Sequence, residues 1–598
     1  MSSSSSSASA PSQPSPGLND PERGVAPAWR SGLRLPGGFL LPGRVVALAA
    51  PFFWYLAIPL VIFFTALMPR LSLARSLDLV TDESVYIPTG MLDVRLVRDH
   101  DFSSPLWLQN YEAPALPKLI IGWGSLYGAY HLPGHSGWLY GARLPAAWLS
   151  ALTLVAFYLL TRPIFGRRAA ALAALALALS PWLAFFGALA YLDTYLFCFI
   201  TLAAPLIWHA ARRPWVYPAL GLFAGLAFGS KYTALALLLP CILYLAYYYT
   251  LVARRPPPWQ TVLAPVVAAL TVYISDPAIW INPPLRLWDS FLFQFNHATN
   301  GHDVFWNGRV WEHVPVGIGV FILLAKLSLL LTIPAAVTLG WTVWRLYRAR
   351  SAPGPLDDRA AFALFWLVGL LLPFGSLPII VGTHYMLPLA SPVAMVAAWG
   401  LVLGADTLAR RGAAPFAAQL TARLSARLGA RAAAPAPGLG AGWSWARAAI
   451  EVALMVVVIV ALVAPPAYGL ATVRQAEGYT AGWLNGENST LQVAYPAYTD
   501  AIYWIIAHSH GRTTVTLIST RGGLDYWMGT RQNLFPQRIR LAVGTPAKFP
   551  FSQYIIWPEH LVQRKFPMPP DFQSLIVARI QGGATTYCYI LRWPHPNR

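Results

Sequence analysis

Eleven apolar runs, separated mostly by short polar connections, constrain this chain more than any other feature. They lie at roughly 45–68, 137–161, 169–185, 188–209, 215–229, 232–252, 260–281, 314–344, 361–380, 385–405 and 447–471. A bilayer core needs about 20 apolar residues per helix. Backbone N–H and C=O groups inside lipid must pair within their own segment, so each run is expected to be helical. The third and fifth runs are short or broken, and Pro181 and Pro334 are expected to bend or end helices. Charged residues make up 11% of the 598, against about 25% in soluble domains. A chain so poor in charge keeps much of its length away from water.

The arginines orient the runs. With the N-terminus inside, Arg23, Arg30, Arg34 and Arg44 precede the first span. The next inside connections carry Arg162, Arg167 and Arg168, then Arg212 and Arg213, then Arg254 and Arg255. Arg345, Arg348, Arg350 and Arg359 follow, and then Arg410, Arg411, Arg423, Arg427, Arg431 and Arg447. Every cluster between spans falls on one side, as the positive-inside rule requires, which places the C-terminus outside a cell membrane. The net charge of +19 therefore reads as membrane orientation, and nucleic acid is not an expected partner. The three cysteines, Cys198, Cys241 and Cys588, stand apart and suggest neither a disulfide framework nor a cysteine metal site.

The expected organisation is an α-helical polytopic membrane protein with a small extracytoplasmic α/β domain. Residues 1–40, rich in Ser, Pro and Ala over their first part, read as a disordered cytoplasmic tail. Residues 41–471 form the membrane domain, with outer loops at 69–136 and 282–313 and an inner Ala/Arg/Pro/Gly-rich linker at 406–446. Residues 472–598 alternate short β-like runs (Val515–Ser519, Ile539–Val543, Tyr554–Trp557, Ser574–Ile580, Tyr587–Trp593) with polar stretches, beside a helix-like run at 497–508.

The first outer loop concentrates Asp82, Glu83, Asp93, Asp99, Asp101 and Glu112 in a chain with only 24 acidic residues. The bland reading is a solvated loop, with Asp82 capping the helix that follows. Other residues shift the balance, because ionisable groups in membrane spans are expensive and usually functional. Arg143, Asp193, Lys231, Lys326 and His384 all fall near the outer ends of spans, which suggests one polar cavity at the outer leaflet. Cations at a membrane surface suit a phosphate head group, and a carboxylate beside them suits a general base. Sugar transfer from a lipid phosphate needs that set: the phosphate is already a good leaving group, and only the acceptor hydroxyl needs a base.

Several runs then resemble a known family. TDESVYIPTGMLDVRLVRDHDF is similar to the first-loop signature of the GT-C glycosyltransferases, the superfamily of protein O-mannosyltransferases and lipid A aminoarabinose transferases. NYEAPALPKLIIGW, GARLPAAWLSALTL, ALSPWLAFFGALAYLDTYLF, GLAFGSKYTALALLLP and HYMLPLASP resemble its later segments in the same order, as does the loop from NPPLRLWDS to EHVPVG. The resemblance spans about 75–410. It implies a GT-C fold and inverting transfer from a polyprenyl-phosphate sugar, mannose or similar, to a protein, glycan or lipid acceptor. It implies Asp82 as base with Glu83 assisting, and Lys118, Arg143 and Lys231 on the donor phosphate. It also implies Glu112, Asp193, His302, His384 and Tyr385 as orienting groups of the cavity, with Glu112 and Asp193 as ligands if a divalent metal ion is used. Pro114–Leu116 reads Pro-Ala-Leu where the family has Pro-Pro-Leu.

Two other classes compete. A secondary transporter would show inverted repeats and a site near the midplane, whereas here no repeat is visible and the charges gather at one face. A scaffold subunit without activity would not need the Asp82 loop intact.

Overall fold

The computed structural model describes residues 33–34, 40–41, 52–80, 82–132, 134, 136–299, 303–349, 353–380, 382–428, 452–453, 456–460, 477, 491–518, 535–544, 549, 551–582 and 585–594. Met1–Leu60 and Val61–Arg598 are separate compact units. In the first, Leu33–Arg34 pairs antiparallel with Leu40–Leu41; apart from that pairing, the expected tail at 1–40 lies outside the described residues.

The chain is mostly helical. Among the described residues, seven helices are long and apolar enough to cross a membrane: Phe53–Ser76, Gly137–Phe165, Leu192–Arg212, Tyr232–Val252, Leu329–Arg348, Pro355–Gly375 and Thr383–Ala409. An eighth is the bent pair Arg167–Ala178 and Pro181–Gly187, which turns by 64° at the expected Pro181. Ser180 caps its second half by accepting the Leu183 N–H. Two further expected spans are apolar helices of sub-span length, Pro214–Phe228 and Trp259–Ser275. The eleventh, 447–471, lies outside the described residues except 452–453 and 456–460. The expectation at Pro334 does not hold as an end: the helix Leu329–Arg348 runs through it. The break comes earlier, where Leu327 turns extended and the Ser328 hydroxyl caps the next helix.

The helices around the site begin with α1 (Ile58–Ser76), α2 (Glu83–Arg98), α3 (Ala115–His131), α4 (Gly137–Phe165) and α5 (Leu192–Arg212). Next come α6 (Tyr217–Phe228), α7 (Leu238–Tyr247), α8 (Leu263–Ser275), α9 (Pro283–Thr299) and α10 (Tyr498–His508). α2 and α3 fill the segment between α1 and α4 and cross at glycines. A Cβ on Gly90 would meet the Lys118 carbonyl at 2.1 Å, and one on Gly122 would meet the Gly90 carbonyl at 2.0 Å. α3 starts at Ala115 despite the Pro-Ala-Leu departure, because Pro114 occupies the capping position with extended backbone and Ala115 packs on Leu96 and Trp107.

The C-terminal domain is a five-stranded sheet of β1 (Thr513–Ile518), β2 (Ile539–Gly544), β3 (Tyr554–Pro558), β4 (Ile576–Gly582) and β5 (Thr585–Arg592), in the order β2-β1-β3-β5-β4. β1 runs parallel to β2 and β3, while β5 is antiparallel to β3 and β4. Ile555, Trp557 and Leu591 pack with Ile518 and Phe549 into its core. All five expected runs became strands, and the run at 497–508 became α10.

Candidate active site

α1 ends at Ser76, and the next six residues lead to the start of α2. Asp82 occupies the capping position of α2, yet its side chain makes no capping hydrogen bond. Its backbone N–H donates to the Tyr191 hydroxyl at 3.3 Å. The side chain faces a cavity of about 620 Å³. Capping, the bland alternative for this residue, is therefore not what the carboxylate does.

Glu83 is fully buried against Arg143. The Arg143 Nε donates to Glu83 Oε1 at 2.7 Å and Nη2 to Oε2 at 2.5 Å. Glu83 also accepts the N–H groups of Val80 and Ala190, both at 2.9 Å. Arg143 donates further to the carbonyls of Ala74, Leu77 and Asp78 at 2.7–3.0 Å. A guanidinium has five N–H donors, and these five bonds occupy all of them. Arg143 has none left for the phosphate it was expected to hold, and Glu83 has no face on the cavity. The pair ties the loop after α1 to α4.

Across the cavity, Asp193 sits in the first turn of α5, with Lys231 at the break between α6 and the helix that starts at Tyr232. Lys231 Nζ donates to Asp193 Oδ1 at 2.7 Å and lies 4.0 Å from the centre of the Tyr385 ring. Burial pulls the Lys231 pKa down, but Asp193, Tyr385 and Asp82 outweigh that and raise it. It stays cationic. His384 packs its ring on Phe186, Tyr191 and Tyr385. Asp82, Tyr86, Asn110, Glu112, Lys231 and Tyr385 all line the one cavity.

The loop 109–113 forms another wall. Asn110 takes a left-handed turn (φ 57°) and donates through Nδ2 to Glu112 Oε1. Lys118 sits behind this wall, 2% exposed, with Nζ donating to the Asn110 carbonyl at 2.9 Å. Burial lowers the Lys118 pKa, against the charges of Asp93, Asp276 and Glu112. Burial raises the Asp93 carboxyl to about 6, Lys118 opposing and Asp276 adding. α9 carries the wall from outside: Gln294 Nε2 donates to the Glu112 carbonyl and Ser290 to the Tyr111 carbonyl, both at 2.8 Å.

Asp193 is paired with Lys231, and Glu112 accepts from Asn110. Among the described residues no group of three or more His, Cys, Asp or Glu is arranged to hold a metal ion. His302 lies outside the described residues. Lys326, grouped with the cavity on sequence grounds, instead donates to the Glu477 carbonyl at 2.7 Å. Sequence reasoning missed Arg564, a half-buried residue of the C-terminal domain whose charge acts on Tyr191, His384 and Tyr385. No local pattern marks it, since only the folding of the C-terminal domain against the helices brings it near.

The arginines predicted to lie inside stand at the far ends of the same helices. Arg143 and Arg162 are on opposite ends of α4, and Asp193 and Arg212 on opposite ends of α5. There Arg212 pairs with Asp358 and Arg345 with Asp357. The polar cavity and the arginine face are a helix length apart.

Residues 128–278 match the family of dolichyl-phosphate-mannose-protein mannosyltransferases. The match joins the motif resemblance in pointing to the GT-C glycosyltransferases, over the part of the chain that supplies Arg143, Asp193 and Lys231. No curated protein matches the chain. Among solved structures, the chain is similar to ArnT from Cupriavidus metallidurans bound to undecaprenyl phosphate, with 19% identity, 92% of this chain and 98% of that one covered, and a TM-score of 0.42. The apo form of the same protein gives 17%, 91%, 98% and 0.45. The apo oligosaccharyltransferase from Archaeoglobus fulgidus gives 13%, 85%, 70% and 0.43.

Proposed function

We propose that this chain is an inverting glycosyltransferase. It moves a sugar, mannose or a similar hexose or pentose, from a polyprenyl-phosphate carrier to a hydroxyl of a protein, glycan or lipid. The reaction takes place at the extracytoplasmic face of a cell membrane, with the N-terminus inside and the C-terminal domain outside.

The observation that carries this reading is that a carboxylate, Asp82, and a cation, Lys231, line one cavity beside an apolar groove. The groove, about 560 Å³, runs between α6, α7 and α8. Phe228 and Ala234 line the groove while Lys231, Tyr232 and Thr233 line the cavity. A lipid phosphate lying along the groove would put its isoprenoid tail among apolar side chains and its phosphate at Lys231. The family match over 128–278 supports the same donor class.

In the proposed step, Asp82 takes the proton of the acceptor hydroxyl as its oxygen attacks the anomeric carbon. The bond from that carbon to the phosphate oxygen breaks, and its electron pair leaves with the phosphate. Lys231 stabilises the growing negative charge, and a charge-assisted contact in a partly dry cavity is stronger than one in water. Asp193 holds Lys231 in place and keeps it charged. Lys118 adds positive charge from behind the Asn110 wall. Glu83 and Arg143, expected in direct roles, act by fixing the loop that carries Asp82.

The test is purified protein in nanodiscs, offered a panel of polyprenyl-phosphate sugars with release of the lipid phosphate as readout. Asp82→Asn keeps the side-chain shape and removes the base, and general bases contribute typically ~10²–10⁴-fold. Turnover should fall by that order while donor binding survives. Full turnover in Asp82→Asn would end the reading.

A further inference from the structure

The N-terminus of α10 has no cap of its own. The residue at its capping position, Ala497, has no polar side chain and is held in a left-handed conformation with φ 52° and ψ 35°. The cap comes from 421 residues earlier in the chain. Asp78 Oδ2 accepts the Thr499 N–H at 2.9 Å, and Asp78 Oδ1 accepts the Thr499 hydroxyl. Asp78 is wholly buried.

The same residue belongs to the loop that presents Asp82. Its carbonyl accepts Arg143 Nη2 at 2.7 Å. The next guanidinium bonds run to Glu83, which in turn holds the Val80 N–H. Between Asp78 and Asp82 lie only three residues. The loop is therefore held from the membrane domain by Arg143 and from the outer domain through the Asp78 carboxylate.

We infer that Asp78 is a positioning residue through which the C-terminal domain sets the placement of Asp82. The inference rests on the reading of Asp82 as the base. Docking of the outer domain does not depend on this contact alone. Lys326 Nζ binds the Glu477 carbonyl at 2.7 Å, and Lys565 Nζ binds Asp303 Oδ1 at 2.7 Å. The Asp78–Thr499 contact can thus be weakened with the domain still seated. A reacting group displaced by about 1 Å can lose on the order of 10²-fold in rate, so a small relaxation of this loop has a large kinetic reading.

The experiment uses the full chain in nanodiscs with the polyprenyl-phosphate sugar that the wild type consumes fastest. Thr499→Val removes the hydroxyl and keeps the N–H and the shape. It should lower kcat and kcat/KM together by about tenfold, the size expected for one hydrogen bond to a charged group. Donor KM should stay within about twofold, and Thr499→Ser should restore the rate. Hydrogen exchange, which needs no substrate, should rise at residues 77–83 in Thr499→Val and stay unchanged in β1, β3 and β5. Unchanged exchange at 77–83, or a kcat equal to wild type, overturns the inference. Asp82→Asn is measured alongside. If Asp82→Asn is inactive and Thr499→Val is normal, the positioning role alone fails; if Asp82→Asn is fully active, the base reading fails with it.

Discussion

Removing Arg143 should damage folding far more than donor binding. Arg143→Ala deletes five hydrogen bonds and leaves the Glu83 carboxylate at 0% exposure facing no cation. Breaking one side of a buried ion pair costs about 3–5 kcal/mol, most of it from the charge left behind. Three carbonyls also lose a charged donor, so the upper part of that range is expected. The double variant Glu83→Gln with Arg143→Met removes both charges and should recover much of the loss, because a neutral pair of similar volume leaves no uncompensated charge. The assay is thermal unfolding in detergent for both single variants and the double one, with donor KM measured on the folded fraction of each. If Arg143→Ala unfolds like the wild type while donor KM rises steeply, the argument is refuted and the arginine belongs to the phosphate.

Lys231→Ala should raise donor KM and lower kcat, and Lys231→Arg should recover part of both, as read by initial rates over a range of donor concentration. The Asp93 carboxyl is pushed up by burial from 3.8 to about 6. Its contribution to stability is therefore full below 3.8 and lost as pH rises through about 6. Unfolding midpoints in detergent should drop across that window in the wild type and lose that dependence in Asp93→Asn. In sealed cells, an impermeant thiol reagent should label Arg309→Cys and Phe566→Cys but not Tyr347→Cys; labelling at 347 would overturn the orientation.

The membrane class and the C-terminal strands were legible in the chain because each rests on local chemistry. Apolar length reports a helix in lipid, alternation reports a strand, and an isolated charge at a span end reports a polar environment. The chain bends before Pro181, which takes the first position of the next helix, where a missing N–H leaves no bond unmade, whereas Pro334 lies inside a continuous helix and the chain broke at Leu327–Ser328 instead. Span number was less legible, since the helices at 214–228 and 259–275 are apolar but shorter than a full crossing.

Roles were another matter. Asp82, Glu83, Lys118, Arg143, Lys231 and Lys326 look alike in sequence, as charges at the outer ends of apolar runs. Which of them faces the cavity depends on which partners the fold brings within 3 Å. Arg143 met Glu83 and three carbonyls, Lys326 met the Glu477 carbonyl, and Lys118 went behind the Asn110 wall. Asp82 and Lys231 kept a face on the cavity. Asp78 and Arg564 gave no signal at all, because their partners are hundreds of residues away. Composition and periodicity act over a few residues and so determine where the chain is helical, extended or in lipid. Hydrogen bonds between distant segments have no sequence period, and only the packed tertiary structure decides which charge meets which partner.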